Sequence, residues 1–312
     1  MQCDLYYVLN LLTFVLGRML NPVVLLTGGS SQMGGSVEVY SPSGSCNKEL
    51  EDIPYKFVDH SIDFFNGEII ICGGQRSRTR CLFLDQNQRF VQHSRLIHRH
   101  AYHVGAVVSD TLTIVGGQLS NTVETWNGSQ WKTRIFDEIE DLQANSCMDA
   151  ISKDTLLMVG GSSKFGRNVT NKMIKYYKAD KDQDGEWERM EDFPGPARHW
   201  LGCAFIKTPE GDSFLIAGGT TLYTSNIYQD TSYLYNIQKN KWEEVGRLSH
   251  VRLGGKIVVV DGKVLMLGGS YVPTTVEEYN VESKTWSKIG QKIKQSRGQF
   301  DAVVVPGALV GC

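Results

Sequence analysis

The sequence predicts an all-β fold of the propeller class, with six sheets arranged around a central axis. An apolar run that ends in a pair of glycines occurs six times along the 312 residues. The first glycines of these pairs lie at positions 28, 73, 116, 160, 218 and 268, which gives spacings of 45, 43, 44, 58 and 50 residues. A repeat of roughly 50 residues is the length of one propeller blade. Six repeats therefore predict six blades, each of four antiparallel strands.

Each repeat presents its strand signals in the same order. The apolar runs, such as EIIICGG, are too short for helices and rich in β-branched residues, so we expect buried strands. The glycine pair lets the backbone turn with positive φ. An alternating strand with an aromatic residue near its end follows, as in TVEEY, which ends at Tyr279. In four repeats a tryptophan then opens the last strand: Trp131, Trp187, Trp242 and Trp286.

This order of double glycine, tyrosine and tryptophan resembles the Kelch repeat, from about Val23 onward. The resemblance implies a single six-bladed Kelch-type propeller over residues 18–312. The first two repeats match least well, since Glu49-Leu50 and Arg89-Phe90 replace the tryptophan. The C-terminal FDAVVVPGALVGC has the register of HSIDFFNGEIIICGG. We therefore expect the C-terminal strand to close the ring as the innermost strand of the first blade, with a truncated seventh blade as the alternative.

The N-terminus carries a twelve-residue apolar stretch from Leu5 to Leu16, too short to span a bilayer but long enough for a signal-peptide core. We expect residues 1–17 to be a signal peptide, although the flank contains Asp4 and no basic side chain. The alternative is an extra N-terminal strand. A secreted protein is therefore expected, with a cytoplasmic location as the alternative.

The cysteine count agrees with secretion. Removal of residues 1–17 would remove Cys3 and leave six cysteines, an even number suited to pairing. Cys72 ends one predicted strand and Cys81 begins its neighbour, close enough for a disulfide. The remaining cysteines have no assigned pairing: Cys46, Cys147, Cys203 and Cys312. Sequons in predicted loops make Asn127 and Asn168 candidate glycosylation sites.

The sequence around these cysteines also resembles secreted invertebrate Kelch-domain proteins. The resemblance rests on Cys46 ahead of an acidic-Ile-Pro segment, followed by ICGG and RCLFLD. It implies a signal peptide before the first blade. The alternative is a cytosolic propeller with buried, reduced cysteines.

Motifs of common catalytic sites are missing from the sequence. It contains no GxSxG elbow, HExxH helix or GxxxxGK[ST] phosphate loop. His98 and His100 would point the same way in an extended segment, with His103 nearby, but they lie in an arginine-rich connection before an inner strand. The ligand set of copper oxidases that resemble galactose oxidase cannot be assembled from these residues. We therefore expect no enzymatic activity and no metal or other cofactor.

Two sets of loops form the candidate binding surface. When strands alternate in direction, the loop after the glycine pair and the connection to the next blade emerge on the same face. Their candidate contact residues are Arg76, Arg78, Arg80, Arg99, Arg167, Arg198, Arg252 and Arg297. Tyr223 and Tyr228 in the long loop of the fifth repeat add contact area. The alternative role of the arginines is to pin neighbouring blades together.

These features predict a non-enzymatic extracellular scaffold that binds a protein or peptide partner, with acidic segments favoured by the basic loops. The chain has 32 basic and 34 acidic residues, too balanced for a nucleic-acid binder. A monomer without a membrane span is expected. One alternative is an intracellular substrate adaptor for a cullin ubiquitin ligase, although the BTB domain of such proteins is not recognisable here. The other is a propeller oxidase or carbohydrate-processing enzyme.

Overall fold

The computed structural model describes residues 21–30, 34–135, 144–163, 168–180, 184–221, 227–270 and 274–312. These residues form six antiparallel sheets that follow one another along the chain. The first strand of each sheet contacts the first strand of the next, and the last of these contacts returns to the beginning. The sheets are therefore the blades of a closed six-bladed propeller, as predicted.

Five blades have four strands each, and the strands are numbered in chain order. Within each of these blades the chain runs from the innermost strand outward. Blade two contains β3 (Ser61–Phe65), β4 (Glu68–Cys72), β5 (Arg80–Leu84) and β6 (Phe90–Arg95). Blade three contains β7 (Val104–Val108), β8 (Thr111–Val115), β9 (Thr122–Trp126) and β10 (Trp131–Ile135). Blade four contains β11 (Cys147–Ala150), β12 (Thr155–Val159), β13 (Met173–Tyr177) and β14 (Glu186–Arg189). Blade five contains β15 (Gly202–Thr208), β16 (Gly211–Ala217), β17 (Ser232–Asn236) and β18 (Lys241–Val245). Blade six contains β19 (Lys256–Val260), β20 (Lys263–Leu267), β21 (Thr275–Asn280) and β22 (Thr285–Lys292).

Blade one joins the two ends of the described chain. Its strands are β23 (Phe300–Pro306), β1 (Pro22–Gly28) and β2 (Val37–Tyr40). β23 pairs with β1 along its whole length, from Phe300 opposite Gly28 to Pro306 opposite Pro22. This confirms that the C-terminal strand closes the ring as the innermost strand. The segment 41–60 contains no strand, so this blade has three strands. It is one of the two repeats in which the tryptophan is missing.

The hydrophobic core lies between neighbouring blades. Val115 and Val123 of blade three, for example, belong to one buried cluster with Leu156 and Ile174 of blade four. Aromatic pairs cover the outer strands, with ring centroids 4.5 to 5.4 Å apart: Trp126–Trp131, Tyr176–Trp187, Tyr235–Trp242 and Tyr279–Trp286. The tryptophans of the repeat therefore pack on the aromatic residue of the preceding strand, where pairs of this kind contribute about 1 kcal/mol beyond area burial.

Three disulfides fasten the propeller. Cys72–Cys81 joins adjacent strands of blade two, Cys147–Cys203 joins the inner strands of blades four and five, and Cys46–Cys312 ties the C-terminus to the segment after β2. None of the described segments forms a helix with the length and apolar character needed to cross a bilayer.

A ring of backbone hydrogen bonds surrounds the axis where each connection enters an inner strand. Its members all have φ between 52° and 66°, and they are Asp59, Tyr102, Asn145, Trp200, Gly254 and Gln299. Five neighbouring pairs are joined by N–H to carbonyl hydrogen bonds of 2.8 to 3.1 Å. The left-handed conformation turns each peptide toward the next blade, so the ring holds the six connections in fixed relative positions.

Candidate functional site

An open cleft of about 520 Å³ lies on blade two, between the loop 75–80 that follows its glycine pair and the connection from β6 to β7. Five arginines line it: Arg76, Arg78, Arg80, Arg95 and Arg99. The other described residues that line it are Gln75, Ser77 and Thr79, so no lining side chain is acidic. We refer to this site as the arginine cleft. The two loops that form it are the two that the sequence predicted on one face.

Two of the five guanidinium groups are held by neighbouring residues. Arg80 donates a hydrogen bond of 2.9 Å to Gln92, and its guanidinium carbon lies 3.7 Å from the centre of the Tyr55 ring. Arg78 donates from Nε to the carbonyl oxygen of Gln75 at 3.1 Å. These contacts fix the directions of two positive charges at the edge of the cleft.

The other three guanidinium groups are available for a ligand. The side chains of Arg76, Arg95 and Arg99 are exposed and make no hydrogen bond or ion pair with any other described residue. Clustered like charges without an acidic side chain in the lining raise the local positive potential, which attracts anions. A guanidinium binds carboxylate, sulfate or phosphate oxygens through paired, charge-assisted hydrogen bonds. The arrangement is therefore suited to a ligand that carries several negative groups.

Three predicted contact arginines are not on the surface. Arg198, Arg252 and Arg297 are at most 1% exposed, so they cannot touch a partner, and the predicted binding role is wrong for them. Arg252 donates to Glu277 at 2.7 Å and to the carbonyl oxygen of Gly268 at 2.6 Å. Each of the three side chains instead donates to the carbonyl oxygen of the first glycine in the glycine pair of its blade. They pin each connection to the blade that it enters, whereas the alternative role predicted from the sequence was to pin neighbouring blades together.

The remaining predicted residues have different outcomes. Arg167 and Tyr223 lie outside the described residues. Tyr228 is half-buried and forms an isolated β-bridge with Thr220. Asn168 is exposed and Asn127 is half-buried, each in a loop as expected for a sequon. Cys72 and Cys81 are joined across β4 and β5, with their Cα atoms 4.2 Å apart.

A second concave site lies on the axis, inside the ring of backbone hydrogen bonds. Its lining includes Asp59, Asn145, Lys256 and Gln299, from four different blades or their connections. Both side-chain polar atoms of Asn145 are buried without a hydrogen-bond partner among the described residues. The pocket has a volume of about 50 Å³, against roughly 300 Å³ or more for typical small-molecule sites. It has room for water but not for a sugar or a peptide.

Carboxyl groups near this axis are strongly perturbed. Burial raises the pKa of Asp59 to about 7, although Gln75, Lys256 and Gln299 act against the shift. Burial, followed by the charge of Asp301, raises the pKa of Asp63 to about 8. Gln75 lines the arginine cleft and donates a hydrogen bond of 2.6 Å to Asp59. The arginine cleft therefore borders a carboxyl group that exchanges its proton near neutral pH.

No sequence pattern indicated Tyr55, Asp59 or Asp63, because their roles depend on contacts between distant segments. The left-handed ring positions do have a sequence signal, since Tyr102, Trp200 and Gln299 each follow a buried basic residue by two positions. Within the described ranges, no group of three or more His, Cys, Asp or Glu side chains is arranged to bind a metal.

Comparison with known proteins supports the fold assignment. Human Kelch-like protein 33 is 29% identical over 104 residues, which is 32% of this chain and 19% of that protein. Bovine Kelch-like protein 21 is 32% identical over 62 residues, which is 19% of this chain and 10% of that protein. The solved structure of YjhT has a TM-score of 0.69 at 14% identity and covers 87% of this chain and 95% of that one. No family model matches the chain. The chain is a six-bladed Kelch-repeat β-propeller.

Two further matches are enzymes. N-acetylneuraminate epimerase of Salmonella typhi is 34% identical over 101 residues, which is 30% of this chain and 25% of that protein. A fungal alcohol oxidase in complex with copper has a TM-score of 0.61 at 12% identity, over 88% of this chain and 65% of that one. The expectation that this protein is not an enzyme is therefore wrong, because local sequence similarity reaches an epimerase as well as Kelch-like proteins. The matches span a quarter or less of these curated relatives.

Proposed function

We propose that this propeller binds an acidic segment of a partner protein in the arginine cleft. The observation that carries the proposal is the convergence of five arginines on one open cleft without an acidic lining residue. Acidic and phosphorylated segments are commonly recognised by arginine clusters of this kind. The cleft is also large enough for several side chains of an extended peptide, whereas the axial pocket is not.

We further propose that the protein acts outside the cell. Three disulfides support an oxidising compartment, and the sequons at Asn127 and Asn168 are compatible with it. In this proposal residues 1–17 are a cleaved signal peptide and residues 18–312 are the mature propeller. Intact-mass measurement of protein expressed in animal cells tests this directly. A mature N-terminus near Arg18 supports it, and a retained Met1 with free thiols contradicts it.

The binding proposal is tested with a fluorescent glutamate-rich peptide and anisotropy measured over a range of salt concentrations. Replacing Arg76 and Arg99 by glutamine should weaken binding about tenfold or more, since a hydrogen bond to a charged group contributes roughly 1.5–3 kcal/mol. The same change should also reduce the salt dependence of the affinity. The control is a double glutamine variant of Arg89 and Arg247, which are exposed but do not line the cleft. Equal affinities in the two variants would contradict the proposal.

A second candidate is chemistry on a sugar acid, favoured by the epimerase match and by the position of Asp59. The arginines could hold a sugar carboxylate, while Asp59, reached past Gln75, exchanges a proton near neutral pH. Exchange between the anomers of N-acetylneuraminate, followed by NMR, tests this candidate. Acceleration that is lost in an Asp59→Asn variant would support it. A rate equal to that of buffer alone would remove it.

A further inference from the structure

His100 occupies a place that arginine fills in other blades. Arg252 and Arg297 bind the carbonyl oxygen of the first glycine of their blade, Gly268 and Gly28. Each also bonds a buried glutamate on the third strand of that blade. In blade three, His100 Nδ1 lies 2.7 Å from the Gly116 carbonyl oxygen, and Nε2 lies 3.1 Å from Oε1 of Glu124 on β9. The imidazole of His100 therefore makes the same two contacts, with a glycine carbonyl and a buried glutamate, that a guanidinium makes in blades one and six.

The contacts of His100 define its protonation state. A neutral imidazole has one donor nitrogen and one acceptor nitrogen, whereas an imidazolium has two donors. A carbonyl oxygen and a carboxylate oxygen both require a donor. Both residues are fully buried, where an unsatisfied polar group is costly. The geometry points to an imidazolium at position 100 that forms a buried ion pair with Glu124.

Glu124 is held in its ionised form by the groups around it. Burial acts to raise its pKa, but His100 and the backbone N–H groups of Ile97 and His98 bring the net pKa below the ordinary value. Ile97 donates to Oε2 at 2.7 Å and His98 to Oε1 at 2.6 Å. The carboxylate thus binds the backbone of the connection between Arg95 and Arg99.

The same ion pair supports the second loop of the cleft. The backbone N–H of His100 donates to the carbonyl oxygen of Arg78 at 2.8 Å, and its carbonyl accepts from Gly74 at 2.9 Å. Leu96 donates to Thr79 at 2.8 Å. His100 and Glu124 do not line the arginine cleft, so they are positioning residues.

We propose that the charged His100–Glu124 pair sets the geometry of the arginine cleft and that the cleft loosens when the ring loses its second proton at higher pH. The claim about anion affinity rests on the proposed function, whereas the claim about loop geometry does not. A neutral ring can donate to Gly116 or to Glu124 but not to both. Either the hydrogen bond to Gly116 or the hydrogen bond to Glu124 is then lost. The connection that carries Arg95 and Arg99 is consequently held less firmly against blade three.

The polar and titratable groups that surround the His100 ring belong to β9, to the connection that contains His100 and to the residue before β7. Glu124 and the Thr122 hydroxyl approach from β9, the latter 3.4 Å from Nε2. His98, in the same connection, places Nδ1 3.2 Å from Oε1 of Glu124, so a second imidazole contacts the same carboxylate. The centre of the His103 ring, one residue before β7, lies 5.7 Å from that of His100. Burial, followed by the charge of His100, holds the pKa of His103 well below its ordinary value. The experiment must therefore separate His100 from His98.

The protonation state is tested by NMR of the ring nitrogens in the ¹⁵N-histidine-labelled protein. An imidazolium signal for both nitrogens of His100 at mildly acidic pH is expected. A neutral tautomer under that condition would overturn the inference. His98→Gln leaves the His100 signal and its titration in place if the assignment is right.

The positioning role is tested by hydrogen exchange of the Ile97 and His98 amides, corrected for the intrinsic effect of pH. Protection should fall about tenfold as His100 deprotonates, because a hydrogen bond to an ionised group is being weakened. His100→Arg, which introduces the residue that blades one, five and six carry at this place, should keep protection constant over the same range. His100→Gln, which cannot carry the charge, should lower protection at every pH. Constant protection in the wild-type protein through the titration of His100 would overturn the role.

The ligand measurement separates the two proposals. Affinity for the glutamate-rich peptide should fall more steeply with rising pH in the wild-type protein than in His100→Arg, where Asp59 is still able to ionise beside the cleft. If the peptide does not bind at any pH, the proposed function fails, while the exchange and NMR results still decide whether His100 positions the loops.

Discussion

Replacing Cys46 and Cys312 by serine removes the bond that ties the C-terminal strand to blade one. The two cysteines are separated by 266 residues, compared with 56 for Cys147–Cys203 and 9 for Cys72–Cys81. In the chain-entropy model a disulfide destabilises the unfolded chain by an amount that grows with the logarithm of loop length. The three bonds then contribute about 6, 4 and 3 kcal/mol, in the order given.

The loops closed by the two shorter disulfides lie within the loop closed by Cys46–Cys312. They shorten the freely moving part of that longest loop by about a quarter. Because the dependence is logarithmic, this lowers its contribution by only ~0.2 kcal/mol. The expected order of destabilisation is therefore unchanged. Guanidinium-chloride unfolding of three double-serine variants, prepared without reductant, measures each loss from the midpoint and slope.

A loss of stability in the Cys46/Cys312 variant no larger than that in the Cys72/Cys81 variant would contradict the chain-entropy account. The constraint on the unfolded chain would then not determine the stability of the closed ring. The slope provides a control, since an unfolded chain freed from the long loop exposes more surface and should raise it.

Arg252→Met should lower stability by roughly 3–5 kcal/mol, because Glu277 is left buried and unpaired, whereas Arg247→Met at an exposed pair should stay within about 0.5 kcal/mol. Urea unfolding compares the two. The pKa of Asp63 is about 8 in the folded protein, and its ordinary value is 3.8. Between about pH 4 and about pH 8 Asp63 is therefore ionised in the unfolded chain but still protonated in the folded protein, so the free energy of unfolding falls as the pH rises. Asp63→Asn should therefore gain relative stability over that range, by no more than about 5 kcal/mol, and parallel pH profiles would contradict this. Asn127→Gln should lower the mass of protein secreted from animal cells by one N-linked glycan, and an unchanged mass would show that the sequon is not used.

The strand order was predictable because the six glycine pairs mark one position in every blade. Closure followed from the register of the last strand, and Phe300 does enter blade one opposite Gly28. The absence of tryptophan was an uneven guide to the outer strands. Blade two forms β6 from Phe90 without it, while blade one forms no fourth strand after Glu49 and Leu50. The tryptophan is therefore not required for an outer strand, and its absence alone did not identify the blade that lacks one.

The arginine cleft was predictable from topology, whereas the buried arginines were not distinguished from the exposed ones. Arg99 and Arg252 lie in equivalent connections, but Arg252 meets Glu277 from another strand and Arg99 meets no such partner among the described residues. That difference arises from a contact 25 residues away. The pairing of Cys46 with Cys312 depends on ring closure in the same way, so local sequence could indicate only Cys72–Cys81.

The Cys46–Cys312 bond has a mechanical consequence. Residues 46–312 form one covalent hoop that contains blades two to six, so a pulling force applied between Asn21 and the C-terminus bypasses them. Only β1, β2 and the short segment that leads to Cys46 carry the load. Their extension is limited to about 85 Å at ~3.4 Å per residue, after which the load falls on a sulfur–sulfur bond. The propeller is thus protected against stretching in five of its six blades.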